Sequence, residues 1–456
     1  MINPHAPSGA LCRRIDLSDP IGRGQLDDLR RTLVSQGDMV SPAGRQRTID
    51  VFGSALTPRQ VVERICSDVR AKGIDAVLDY SRRIDGGSPT HQNLFVAPET
   101  LAQAHADVDA EFLGAIRRVR DRVMRFQMAI LARNVTVPLP GGGSLGQRYV
   151  PLDRVGVCVP GGAAAYPSTL LMTVVPAQVA GVPEIVVVAP PTKFGAENPK
   201  VLATCHELGV TTVMRAGGAQ AVAAMAYGIE GLPRVDMIVG PGNLFVALAK
   251  EYVFGDVAID SIAGPSEIVV VADAQANAEF IAADMLAQAE HSPGSAILLT
   301  ASVTLADQVA SAISRRLTVL ERADLTRDSL ERFGAIVLTR SDDESADLAD
   351  ELAPEHLAID TRDPQATLAR IRHAGAAFLG PWSPVAAGDY AAGPSHVLPT
   401  GGTARFAAGL SANHFLRSGS VINLARKDLA EMAADITLLA DVEGLTAHRR
   451  SVDARL

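Results

Sequence analysis

The sequence predicts a parallel α/β protein built on two sheets, and three observations predict it. Continuous β-branched runs alternate with helical stretches, glycine-rich turns follow several runs, and 456 residues supply roughly two to three cores. The runs fall in two groups. Val155–Val159, Ile185–Val188, Thr211–Met214 and Met237–Val239 come first; Ile268–Val271, Ile297–Thr300, Ile336–Leu338, Leu357–Ile359 and Ala376–Leu379 follow. A strand that is apolar throughout is covered on both faces, and parallel neighbours need a crossover between them. Ala219–Ala226 and Leu244–Phe254 read as such crossovers, and Asp260–Pro265 as the point where the chain leaves one sheet for the next. The fold class is therefore α/β, two Rossmann-like parallel-sheet domains with a helical N-terminal segment and a helical C-terminal tail.

The remaining elements follow in order. Residues 1–50 read as an irregular, partly helical extension with a break at Ser41–Gly44. Thr57–Pro58 places a capping hydroxyl before a proline in the first turn, so a helix starts there. A second helical region runs from about Pro98 to Arg133, and Pro138–Gly143 is a turn. The apolar stretch Ser168–Pro191 is broken by Pro176, Gly181 and Pro183, so it reads as helix then strand, not as a bilayer span. Beyond Pro399 the chain turns helical, in a segment too small for its own core that must pack on something else, a neighbouring subunit included.

Composition excludes several roles. A net charge of −9 and a single Trp argue against a nucleic-acid binder, which needs a basic face. Four scattered cysteines, none in a CxxC pair, point to a reducing cytoplasm, and the first residues carry no secretory apolar run.

Chemistry gathers at strand ends. Pro160–Gly162, Gly217–Gln220 and Gly240–Asn243 could present helix N-termini to a pyrophosphate, although GxGxxG is absent and ordinary turns explain them equally. A helix from Asn277 to Pro293 would set Gln288 and His291 on one face of its last turn. Glu355–His356 places a carboxylate and an imidazole just before a buried strand, suited to general base work. Asp389 and His396 lie in a glycine-rich loop, and His448 lies in the tail. Singly, each has a bland surface or capping reading, and no spacing here establishes a metal site.

Taken together, VPGGAAAYPSTLLM, AGGAQAVAAMAYG, VGPGN, AGPSE, QAEH, APEHL, GDYAAGPSHVLPTGG and EGLTAH stand in one order that resembles the histidinol dehydrogenase family over residues 55–450. The resemblance implies one zinc ion per subunit, held by Gln288, His291, Asp389 and His448, the last from the partner in a homodimer. It implies NAD as hydride acceptor, with Cys158, Gln220 and Asn243 on the cofactor side; Cys158 stands where the family commonly has Tyr. It implies Glu355 and His356 as catalytic groups, and contacts to L-histidinol from Ser266, Gln288, His291, His356, Asp389, His396, Glu443 and His448. The implied reaction is two-step oxidation of L-histidinol to L-histidine through a retained aldehyde, the last step of histidine biosynthesis. The implied layout is a 1–50 extension, a discontinuous catalytic domain of 51–150 and 264–400, an NAD-binding domain of 151–263 and a dimer-crossing tail of 401–456. The alternatives are a paralogous zinc- and NAD-dependent dehydrogenase for another small alcohol, or a non-redox zinc hydrolase or binding protein on the same scaffold.

Overall fold

The computed structural model describes residues 11–34, 42–162, 164–291 and 293–456. Its centre is two parallel sheets. The smaller has five strands in the order Thr212–Arg215, Glu184–Ala189, Arg154–Cys158, Met237–Val239, Ala258–Ile259. Numbered along the chain this is 3-2-1-4-5, the doubly wound order whose direction reverses beside the first strand. The larger sheet repeats the same order with Ser266–Ala272 as its first strand, flanked by Gly294–Thr300, Gly334–Leu338, His356–Asp360 and Ala376–Leu379. Five of the nine strands extend the predicted runs by two or three residues, two are shifted by one, and Met237–Val239 and Ala376–Leu379 coincide with them.

Arg13–Asp16 adds a sixth, parallel strand to the outer edge of the larger sheet, pairing with Gly334–Leu338. The N-terminal segment is thus not wholly irregular. Ile15 is buried in that sheet's core, and the following helix Gly22–Val34 buries Leu26 and Leu29 there. Of the break expected at Ser41–Gly44, Ser41 lies outside the described residues, and Pro42–Gly44 instead open the helix Pro42–Phe52.

The helix Pro58–Lys72 begins as its sequence predicts, with a reciprocal capping box between Thr57 and Gln60. Its buried Val61, Ile65 and Val69 share a core with Val186 and Met214 of the smaller sheet. Leu101, Ile116 and Val123, from the helices Pro98–Asp107 and Ala110–Ile130, cover that sheet's other face with Val155 and Val187. Much of 51–150 is therefore packed with 151–263 and not with the larger sheet. Pro167–Ala180 is a buried helix ended by left-handed Gly181, then Glu184–Ala189 is a strand. No described helix is long and apolar enough to cross a membrane.

A third, antiparallel sheet was not expected. Val135–Pro138 and Ser144–Pro151 form a hairpin around the Pro-Gly-Gly-Gly turn, and Leu416–Asn423 pairs with the hairpin's second strand. This sheet is the root of the tail. Beyond it, the helices Arg426–Val442 and Thr446–Asp453 pack chiefly on each other. Asp428, buried in the first turn of the tail, accepts hydrogen bonds from the amides of Gly141 (2.6 Å), Gly143 (2.8 Å) and Ala425 (3.0 Å). A side chain on Gly141 or Gly143 would collide with that carboxylate.

Candidate active site

Ser266–Ala272 and His356–Asp360 are neighbouring strands, with His356 beside Ile268. Ser266 and His356 each open a strand, so both side chains emerge at the amino-terminal edge of the larger sheet. Glu355 precedes His356 in a loop entered through Ala353, the sole left-handed non-glycine among the described residues (φ 48°). That strained residue and Pro354 set the direction of the loop. The loop is pinned by Gly375 and Ala376, whose amides donate to the carbonyls of Pro354 and Glu355 at 2.9 Å each.

The helix Ala278–Ala289 brings in Gln288 but stops before His291, which lies in the turn beyond it and not in the helix's last turn. Gln288 is buried at 2% exposure. Its Nε2 donates to Ser266 Oγ (2.6 Å), and the Ser266 hydroxyl donates to Glu355 Oε2 (2.7 Å). The hydroxyl's one proton goes to the carboxylate, so its lone pair must take the amide N–H. That fixes the amide and leaves Gln288 Oε1 buried with no partner. The amide of Glu267 also donates to Glu355 Oε2, at 2.8 Å. Both bonds fall on one oxygen, so Oε1 of Glu355 is the one left for chemistry.

His356 Nδ1 lies 3.1 Å from the carbonyl of Glu267, which can only accept, so Nδ1 carries the proton. In the neutral ring Nε2 is then the basic nitrogen; it is buried, without a hydrogen bond, 3.6 Å from Asp389 Oδ1. His396 is held in the same manner, Nδ1 donating to the carbonyl of Asp389 at 2.9 Å.

Electrostatics divide these groups. Burial raises the pKa of Glu355, against the pull of His356 and the hydrogen bond from Ser266. Burial opposes the His356 cation, but the carboxylates of Glu355 and Asp389 outweigh it and push the imidazole up to about 9. Asp389 is disfavoured by burial yet held below the usual carboxylate range by His356, His396 and His291. Protein packed around His291 and His396 lowers both imidazoles, although His291 itself is surface-exposed.

Ser266, Gln288, Glu355, His356, Asp389 and His396 therefore meet, with His291 at the mouth. Glu443 and His448 do not join them within one chain; both are exposed on the tail. Among the described residues, no cluster of three or more His, Cys, Asp or Glu is placed to hold a metal. On the smaller sheet Cys158 ends the first strand and is buried, its thiol raised to about 12 by burial. Gln220 is buried and donates from Nε2 to Asp85 Oδ2 at 3.0 Å. Asn243 is exposed and caps the helix Leu244–Val253 through its side-chain oxygen.

Two participants went unread in the sequence. Glu267 orients His356 through its carbonyl; its carboxylate takes the amide of Gly401 (3.0 Å) and is raised to about 7 by burial and by Glu355. It sat in plain view within AGPSE. Asp85 offered no signal, because its partner Gln220 is 135 positions away.

The loop after Asp389 reaches the helix that follows the smaller sheet's first strand. Ser395, in the loop after Asp389, donates to the carbonyl of Met172 in the helix that follows Arg154–Cys158 (2.8 Å). Doubly wound sheets with a buried carboxylate–imidazole pair at a strand end are the layout of an α/β enzyme. Known proteins agree. The histidinol dehydrogenase family model matches residues 54–456. Histidinol dehydrogenase of Rhodopirellula baltica is 59% identical over 444 residues, covering 97% of this chain and 96% of its own. That of Geobacillus kaustophilus is 48% identical over 399 residues, 87% of this chain and 94% of its own. The crystal structure of histidinol dehydrogenase from Elizabethkingia anophelis superposes with a TM-score of 0.88 at 29% identity, covering 98% and 99% of the two chains. The chain belongs to the histidinol dehydrogenase family, and it is an enzyme.

Proposed function

We propose that the chain oxidises L-histidinol to L-histidine in two hydride transfers to NAD at a single site, with one zinc ion per subunit. The observation that carries this reading is the pair of buried, unpartnered atoms, Gln288 Oε1 and His356 Nε2, beside a carboxylate with one oxygen committed and one free. The donor set fits zinc. A bare amide oxygen, the Asp389 carboxylate and His291 are hard and borderline ligands, and His448 of the partner subunit would complete four. When bound, zinc supplies charge that orients and polarises the substrate, and NAD supplies the hydride acceptor.

The chain's own groups then divide the proton work. His356 Nε2 takes the alcohol proton as the first hydride departs. Glu355 Oε1 takes a proton from the water that adds to the retained aldehyde, while His356 returns its proton to the aldehyde oxygen. His356 takes the second alcohol proton as the second hydride leaves, giving the acid. Burial of both groups keeps water off the aldehyde until Glu355 delivers it. Ser266, His396 and, from the partner subunit, Glu443 would contact the substrate, while Gln220, Asn243 and the backbone at Cys158 line the NAD side.

A homodimer with shared sites accounts for the tail. Leu438, Leu439 and Val442, near the end of the helix Arg426–Val442, are 64%, 61% and 77% exposed. A cytoplasmic setting fits the free thiols. The test is NADH yield from limiting L-histidinol. Two NADH per histidinol, lost on chelation and restored by zinc, is expected. One NADH with release of the aldehyde, or none, overturns the reading.

A further inference from the structure

Lys250 lies in the last turn of the helix Leu244–Val253 and is among the largest fully buried side chains, at 2% exposure. Its partner is Asp260, whose side chain is 3% exposed, and Lys250 Nζ donates to Asp260 Oδ1. A buried ion pair is poor evidence for stability, because an apolar pair of equal volume often does as well. What this pair does that an apolar one cannot is hold the backbone of Gly240. Lys250 Nζ donates to the Gly240 carbonyl at 3.1 Å, and the Gly240 amide donates to Asp260 Oδ2 at 2.7 Å. Both polar groups of one peptide position are thus gripped by side chains from two other elements.

Gly240 is an exacting place to grip. Its φ is +101°, and a Cβ there would lie 2.4 Å from the carbonyl oxygen of Cys158. The residue opens Gly240–Pro241–Gly242–Asn243, the turn at the carboxyl end of the smaller sheet's fourth strand, beside the point where strand order reverses. Asp260 also accepts from the amide of Ser261 (2.6 Å), and its own amide donates to Ile238 (3.3 Å). It therefore fixes the strand before the turn and the start of the connector toward Ser266.

We infer that Lys250 and Asp260 act as positioning residues for the cofactor-side turn, holding Gly240–Asn243 in the shape that admits NAD. This rests on the reading of NAD as hydride acceptor. Neither side chain touches substrate; each acts through Gly240.

Three variants in the full-length enzyme test it: Lys250→Met, the double Lys250→Met/Asp260→Leu, and Lys250→Arg. The single loss strands a buried carboxylate and can unfold the chain; the double variant removes both charges and retains the fold, checked by circular dichroism and thermal melting. In the double variant NAD binding by calorimetry should weaken roughly ten- to a hundredfold, the scale of a small misplacement. The KM for NAD should rise in step, with the KM for L-histidinol and kcat at saturating NAD within about twofold of the parent enzyme. Lys250→Arg, which keeps a donor to Gly240, should recover most of the affinity. A folded double variant that binds NAD like the parent overturns the inference alone. A parent enzyme that binds no NAD overturns the inference and the cofactor reading together.

Discussion

At Glu355 two hydrogen bonds fall on Oε2 and none on Oε1, so the residue is built to use one oxygen. Glu355→Gln keeps the shape and removes the base. It should slow the aldehyde-to-acid half-reaction by roughly two to four orders of magnitude, the usual worth of a positioned base, and spare the alcohol step. Stopped-flow measurement of each half-reaction checks this; equal losses would merge the two roles. His356 gives a pH prediction. Its folded-state pKa is raised from 6.5 to about 9, so the stability it contributes is fully present below pH 6.5 and lost as pH rises through about 9. In metal-free protein the melting temperature should fall across that window, and His356→Asn should flatten the slope. Cys158→Tyr is a different matter. The thiol is buried at 4% exposure, so a ring must displace neighbours and should cost about 1–3 kcal/mol of stability, whatever it does to NAD affinity. Glu355, His356 and the in-chain candidates for zinc and substrate contact were legible as residue types. Their convergence was not, because Gln288, Ser266 and Glu355 are joined by side-chain contacts that no periodicity records.

Among the elements, those with buried apolar faces were legible. Met237–Val239, buried throughout, matches its predicted bounds because a continuous hydrophobic run is itself the signal of a doubly covered strand; Ala376–Leu379 matches them too, although it is a partly exposed edge strand. Leu416–Asn423 was unreadable for the converse reason. It is largely exposed, carries Arg, Ser and Gly, and owes its existence to pairing with Ser144–Pro151 far back in the chain. The helices are tied together by one carboxylate. Glu207, ending Pro199–Glu207, takes both ends of the Arg117 guanidinium (2.9 and 2.8 Å), Arg120 at 3.1 Å and His105 at 2.8 Å, from two other helices. The Arg117 hydrogen bond, burial opposing it, holds Glu207 at about 2. A depressed acid stabilises above its unfolded pKa and ceases to as pH falls through the folded one. Glu207→Gln should therefore cost roughly 2–3 kcal/mol at neutral pH and much less near pH 2, read by urea denaturation at both.

For the whole molecule the decisive quantity is how many chains make one site. If His448 and Glu443 act across a dimer, Glu355→Gln and His448→Ala enzymes, each unable to form L-histidine, should complement when refolded together. A mixed dimer keeps one site with both defects and one with neither, so about a quarter of parental activity should return at equal mixing. No recovery would place His448 in its own chain's site. Asp428 bears on how such a dimer forms. Because it staples the root of the tail to the glycine turn through three backbone amides, the tail is a finished bracket before it meets another chain. Association then orders little that was not already ordered, and subunit exchange should be timed by parting of the dimer and not by refolding of an arm. In hydrogen exchange, the amides of 141, 143 and 425 should stay protected on dilution, even as the apolar face of the tail helices opens to solvent.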